Sequence, residues 1–242
     1  MPPSTVQIRF VKDTLHLSGH AQKTWIDKAI NNAPSIAGIN RVEIKQLVDT
    51  DSFLLLQVQR TLKPPESVTL SVHNRVLQVI GQVNSATFKT LQQRIQAFQN
   101  SQKELAGIET SGLVDIEHEM RVLVQSVKNQ KIYFYEDSTK LTSEQETALA
   151  KLLKDLQHLL TLGQMLNQIV ELQITGNTDG LGTELYNQQL SQRRAEVIIN
   201  WLEEQGIKKH FLTIIPPSKI RFGETRPNPR YRNVNFSVIT YQ

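Results

Sequence analysis

Asp179 stands in a glycine-rich run, GNTDGLG at 176–182, directly after a strand-like stretch, and two guanidiniums, Arg193 and Arg194, follow fourteen and fifteen residues later in a helical pattern. A carboxylate is an acceptor-only group, and a guanidinium is a planar fork of five donors. Together they are what a receptor needs for the free end of an amino acid, where ammonium and carboxylate lie a few ångströms apart. The glycines let the backbone turn tightly and come close to a ligand. Taken singly, Asp179 is equally well a turn residue and Arg194 a solvated helix charge, so spacing alone leaves both readings open.

Other chemistries find less support. The run lacks the terminal Gly-Lys-Ser/Thr of a nucleotide loop and the G-x-G-x-x-G spacing of a dinucleotide fold. No Ser/His/Asp or two-carboxylate arrangement is readable, so no enzyme is predicted. The chain has no cysteine, which removes disulfides, thiol nucleophiles and Cys-ligated metal. His16 and His20 are four apart but straddle a strand end and Gly19, so they would not share a face; no metal or cofactor is predicted.

The elements that must position Asp179 and Arg194 run from Lys131. A short strand (Ile132, Phe134) leads through a polar turn to a helix capped by Thr142 or Ser143, with an apolar stripe at Leu149, Leu152, Leu153, Leu156 and Leu160. Val170 to Thr175 reads as a strand. Ser191 is the expected cap of the next helix, whose inner face is Ala195, Ile198, Ile199 and Leu202 and whose stop is Gly206. That start puts Arg194 in the first turn, beside free N–H groups and the positive end of the helix dipole. LTIIPP and VNFSVIT supply the last strands, giving a two-layer βαβαβ sandwich over 131–242. The site is expected to be a mouth on its surface, with the unbound pair ionised and hydrated.

Before it lies a repeat. Thr5 to Asp49 and Ser67 to Asp115 each show two alternating strands ending in a glycine (Gly19, Gly81), a helical stretch, a Gly-Ile pair and a last strand ending Leu-Val-Asp. Asp51 to Leu62 has helical spacing and stops at Pro64-Pro65, so the second copy has a leading helix and the first does not. Trp25, Phe88 and Phe98 lie on the crossover helices as expected core residues. IEHEMRVLVQSVKN, with Met120, Leu123, Val124 and Val127 at helical spacing, reads as a connecting helix. The fold class is α+β, divided as 1–50, 51–116, a connecting helix at 117–130, and 131–242.

Charge is uneven. From residue 180 onward nine Lys/Arg face five acids, which leaves eighteen of each before it and places the whole +4 excess in the last segment. The arginines are scattered through turns and strand ends without stacking aromatics, so nucleic acid is not predicted as a partner. No apolar run approaches the roughly 20 residues of a membrane span, and MPPSTVQIRF lacks the apolar core of a signal peptide.

IYFYEDSTKLT, ITGNTDGLGTELYNQQLSQRRAEVIINWLEEQGI, FGETRP and YRNVNFSV together resemble the OmpA C-terminal domain, shared with peptidoglycan-associated lipoprotein and flagellar stator proteins. The resemblance covers 131–242. It implies a non-enzymatic domain that binds the peptide stem of peptidoglycan at the free end of diaminopimelate. By position, the family's binding aspartate falls on Asp179 and its binding arginine on Arg194. The asparagine eight residues after the aspartate falls on Asn187, and the threonine before it on Thr178. The family's closing N-R-R-V falls on Tyr231-Arg232-Asn233-Val234, which keeps Arg232 and replaces the second arginine. Asn177 stands where a histidine is frequent, and the segment between Gly223 and Arg232 is shorter than usual.

The two repeats resemble BON modules, which implies contact with lipid or with other envelope proteins. The missing leading helix implies a chain that starts inside a domain. Together the resemblances imply a periplasmic protein of the bacterial envelope, membrane-anchored in its full length, that holds the cell wall non-covalently. The alternative is an envelope assembly protein whose OmpA-like domain has lost wall binding. Zero net charge before residue 180 argues against purely electrostatic phospholipid binding by the first half.

Overall fold

A computed structural model describes residues 5–101 and 103–242, which fall into two compact units, Met1–Asp115 and Ile116–Gln242. The first unit is built twice on one plan. Strands β1 (Val6–Val11) and β2 (Thr14–Ala21) form a hairpin; helix α1 (Lys23–Asn32) crosses over, and β3 (Arg41–Asp49) pairs parallel to β2. After helix α2 (Thr50–Leu62) the plan returns as β4 (Val68–His73), β5 (Val76–Val83), α3 (Ser85–Ser101) and β6 (Gly107–Asp115). The sheets are ordered β1-β2-β3 and β4-β5-β6, and the parallel ladders break register at matching places, His16/Ser18 and Gln78/Ile80.

The repeated glycines have a steric cause. A Cβ on Gly19 would lie 2.0 Å from the Thr5 carbonyl oxygen, and one on Gly81 2.3 Å from that of Ser67. Each lies at the open end of its hairpin, where the facing backbone leaves no room for a side chain.

In the second copy α2 packs Leu54, Val58 and Leu62 against Leu70 and Val72 of β4, Leu77 and Val79 of β5, and Leu91, Ile95 and Phe98 of α3. Lys63 in the left-handed region ends α2 ahead of Pro64-Pro65. Asp51 in its first turn accepts from the backbone N–H groups of Asn74 and Arg75, both at 2.8 Å, and so pins the β4–β5 turn. Phe98 is buried, Phe88 packs against the same core, and Trp25 is half-buried. His16 meets Glu43 at 3.1 Å while His20 stacks on Phe53, so the two histidines have separate partners. Among the described residues no cluster of three or more His, Cys, Asp or Glu could hold a metal.

The second unit begins with α4 (Ile116–Asn129), continues through β7 (Lys131–Tyr133), α5 (Ser143–Met165), β8 (Ile169–Gly176) and α6 (Glu184–Glu204), and ends with β9 (Leu212–Ile214) and β10 (Asn233–Tyr241). Its sheet is ordered β7-β10-β8-β9. Strand β8 alternates cleanly, burying Val170, Leu172 and Ile174. Those residues meet Leu149, Leu152 and Leu156 of α5 and Ala195, Ile198 and Leu202 of α6 as the buried interior. The helix expected as a connector at 117–130 is part of this unit. It packs on α5 and β10, and Asp155 of α5 accepts from Ser126 at 2.9 Å and from Gln130 at 2.8 Å. No helix among the described residues is long and apolar enough to cross a membrane.

Candidate functional site

Three loops meet at one end of the sheet of the second unit, and strand register brings them together. Val234 of β10 is opposite Gly176 of β8 and Ile132 of β7. Just past those partners the Phe134 N–H donates to the Arg232 carbonyl at 2.7 Å, and the Asn177 N–H to the Asn233 carbonyl at 2.8 Å. Arg232 therefore lies between the loop after β7 and the loop after β8. The first of these is tied to α5 by a capping box between Thr142 and Gln145, whose side-chain amide also donates to the Tyr133 carbonyl at 2.9 Å.

Helix α6 starts earlier than expected. Thr183 caps it, accepting from the Tyr186 N–H, with Glu184 in the first turn. Ser191 is internal, and its hydroxyl donates to the Gln188 carbonyl at 2.8 Å. Ser191 sits where helix and strand touch most closely: a Cβ on Gly176 would lie 1.9 Å from its carbonyl oxygen. Arg194 is thus in the third turn of α6, beyond the reach of the free N–H groups and most of the dipole field.

From there Arg194 points into the protein. It is 1% exposed. Its Nε donates to the Ser138 carbonyl at 3.0 Å, Nη1 to Asn177 at 2.8 Å and Nη2 to Tyr135 at 3.0 Å, and the guanidinium carbon lies 5.3 Å from the centre of the Phe134 ring. Burial lowers its pKa from the usual arginine range to about 10, partly offset by the attraction of Asp179, with repulsion from Arg232 acting in the same sense as burial. Even so it is charged at neutral pH. Its visible work is to clasp two loops to one helix.

The ion partner of Asp179 is Arg232. The Arg232 Nε donates to Asp179 Oδ2 at 2.7 Å, and Nη2 donates to Glu136 Oε2 at 2.8 Å, so one guanidinium bridges two carboxylates. The side chains of Asp179 and Arg232 are both 9% exposed, whereas that of Glu136 is mostly exposed. The expected hydrated mouth is thereby corrected: Asp179 and Arg194 are both buried, and the register of β10 carries Arg232 over the turn to pair with Asp179. Arg232 also lines a groove of about 530 Å³ with Tyr133, Phe134, Tyr135, Pro229 and Arg230.

Thr178 is buried beside Asp179. Asn187 is buried too, and its amide donates to the Leu181 carbonyl at 2.9 Å, bracing the glycine turn from inside α6. Across the turn, the N–H groups of Gly223 and Glu224 donate to the carbonyls of Gly182 (3.1 Å) and Gly180 (3.0 Å), tying the start of the 223–232 segment to the glycine turn. Asn233, where the resemblance calls for a second arginine, is buried; it donates to the Arg230 carbonyl and receives a bond from Asn177 at 3.2 Å. Arg193 is exposed.

Thr178, Asp179, Asn187, Arg194 and Arg232 therefore converge on one loop cluster, in which Arg232 and not Arg194 is the ion partner of Asp179. Glu136 was not anticipated. Its neighbour Asp137 is of the same type, and only the path of the loop decides which acid meets Arg232.

The sequence matches the OmpA family over residues 133–233, which runs from the last residue of β7 to the first of β10 and contains every residue of the cluster. Residues 133–233 are an OmpA-like domain. Solved structures similar to the OmpA-like domain include the peptidoglycan-associated lipoprotein from Burkholderia pseudomallei (22% identity, 46% of this chain and 91% of that one, TM-score 0.35). The periplasmic domain of Helicobacter pylori MotB (17%, 45% and 79%, 0.34) and the cell wall anchor of the T6SS from Pseudomonas aeruginosa (18%, 46% and 76%, 0.32) are others. No curated protein matches the sequence.

Proposed function

We propose that the OmpA-like domain is a non-enzymatic receptor for the diaminopimelate end of the peptidoglycan stem peptide, anchoring an envelope protein to the cell wall from the periplasmic side. The observation that carries this is the bridged pair. Arg232 joins two carboxylates from two loops, which is the arrangement a zwitterion can enter by exchange. A ligand carboxylate takes the Arg232 fork, and the ligand ammonium takes Asp179 and Glu136, so every charge keeps a partner. Arg194 then acts beneath the ligand by holding the carbonyls of Tyr135, Ser138 and Asn177, while Asn187 and Thr178 fix the turn that presents Asp179. The family match over 133–233 supports the same reading.

In this proposal residues 1–50 and 51–116 are BON-like modules that contact partner proteins or phospholipid, and the full-length protein is membrane-anchored. Retention of the chain on purified sacculi tests the wall-binding role: the native protein is expected to co-sediment, and Asp179→Ala to stay in solution. One observation favours a second reading, an interaction module without wall binding. Arg194 and Asp179 already have hydrogen-bond partners within the protein. Failure of the native protein to co-sediment, with envelope partners still recovered, would select it.

A further inference from the structure

Asp179 and Arg232 are joined by more than their own ion pair, because a second connection runs between their chain neighbours. It starts at Gly180, the residue after Asp179. The Glu224 N–H donates to the Gly180 carbonyl at 3.0 Å, Leu181 and Glu224 form a parallel bridge, and a Cβ on Gly180 would lie 2.8 Å from the Glu224 carboxyl carbon. The Glu224 carboxylate is thus packed against the turn at a place where only glycine leaves it room. Its Oε1 is ion-paired with Arg221 Nη2. The Arg221 guanidinium in turn stands over the ring of Tyr231, 3.7 Å from its centre, and Tyr231 is the residue before Arg232.

The joints of this chain depend on residue type. A guanidinium can lay its plane on an aromatic ring and offer its edge to a carboxylate at the same time, whereas an ammonium is a point charge without a plane to stack. The side chains of Arg221 and Glu224 are 36% and 32% exposed, so solvent screens the pair only in part. Among the described residues Arg221 Nε is buried without a hydrogen-bond partner. An unpaired buried donor costs stability, so the stability of the loop alone does not account for an arginine here. The Tyr231 and Arg232 N–H groups donate to the Asn228 and Pro229 carbonyls; these local bonds shape the 229–231 turn but do not place it against Gly180.

We propose that Arg221 is a positioning residue of the stem-peptide site. Through Glu224 it is fixed to the turn that carries Asp179, and through Tyr231 to the backbone that carries Arg232. It therefore sets how far apart the carboxylate and the guanidinium stand when a zwitterion enters between them, a spacing that a fork-to-carboxylate contact needs held closely. The proposal rests on the reading of Asp179 and Arg232 as an exchangeable pair. Arg221 itself touches no ligand in it; its loss lets the pair spread and so lowers affinity.

The test titrates meso-diaminopimelate calorimetrically into the full chain and its variants. Arg221→Lys keeps the charge beside Glu224 but not the stacked plane, Tyr231→Leu removes the ring, and Tyr231→Phe keeps it. Arg221→Lys and Tyr231→Leu are each expected to weaken binding about 3- to 10-fold, and Tyr231→Phe to stay within about twofold of the native protein. The double variant Arg221→Lys/Tyr231→Leu is expected to lose no more than about 10-fold, because the two side chains act as one unit. A second readout needs no ligand: the Arg232 Nε–H resonance of the free protein is expected to shift in Arg221→Lys and Tyr231→Leu but not in Tyr231→Phe, a response that a merely structural residue would not give. Native affinity in Arg221→Lys, an unmoved Nε–H signal, or losses that multiply in the double variant overturn the proposal. If the native chain does not bind diaminopimelate, the exchangeable-pair reading fails, and the Nε–H signal then decides the positioning role by itself, upheld if it moves in Arg221→Lys and overturned if it does not.

Discussion

Replacing Arg194 by alanine separates a structural guanidinium from a ligand-binding one. The side chain makes three charge-assisted bonds to backbone carbonyls and is 1% exposed, so truncation leaves the carbonyls of Tyr135, Ser138 and Asn177 without that donor. Each such bond is worth about 1.5–3 kcal/mol. Against this, burial lowers the guanidinium's pKa to about 10, a cost of enclosing the charge that the variant recovers. The net expectation is a loss of about 3–5 kcal/mol from the stability of the second unit. Arg194→Lys keeps the charge but not the fork, and is expected to lose about 2–4 kcal/mol. Urea unfolding read by Trp201, half-buried in α6, in a Trp25→Phe background reports that unit. If Arg194→Ala leaves the urea midpoint unchanged and removes only ligand binding, the guanidinium is a ligand group and the clasp is refuted.

Other predictions address the parts around it. Glu136→Gln removes one of the two carboxylates on Arg232, and is expected to weaken diaminopimelate binding about 3- to 30-fold by calorimetry with stability nearly unchanged, because Glu136 is mostly exposed. Asn187→Ala frees the Leu181 carbonyl and is expected to cost about 1–3 kcal/mol in urea unfolding, with faster amide exchange in 180–183. Gly176→Ala places a Cβ 1.9 Å from the Ser191 carbonyl oxygen and is expected to cost more than about 3 kcal/mol by prising α6 from β8. Arg194 also fixes a pH expectation. Its folded pKa, about 10, lies below its unfolded value, so both states are protonated at neutral pH and its contribution is flat there. Stability from this group rises only above the folded pKa, so the stability difference between the native protein and Arg194→Ala should stay within about 0.5 kcal/mol from about pH 6 to 9.

Much of the second unit is legible in the chain itself. Leu149, Leu152 and Leu156 recur at helical spacing, and Val170, Leu172 and Ile174 alternate, so element type follows from burial periodicity alone. The helix start was harder, because Thr183 and Ser191 are both good caps. Thr183 prevails because Gly182 at φ +90° ends the turn and Glu184 follows in the first turn, while Ser191 is needed flat against Gly176. The pairing inside the site was not legible. Arg232 is 53 residues from Asp179, and only the register of β10 against β8 makes them neighbours. In the first unit the repeated glycines and strand patterns are plain in the sequence.

The central claim is that Asp179 and Arg232 form an exchangeable pair for a zwitterionic stem-peptide end. The most direct measurement is a titration of meso-diaminopimelate into the ¹⁵N-labelled chain, following the amides of 134–138 and 177–182 and the Arg232 Nε–H. The account predicts saturable shifts at all three, with the Nε–H signal moving as its partner changes from Asp179 to ligand, and no response in Asp179→Ala. An Arg232 Nε–H that stays unmoved at saturating ligand, or full binding by Asp179→Ala, contradicts it.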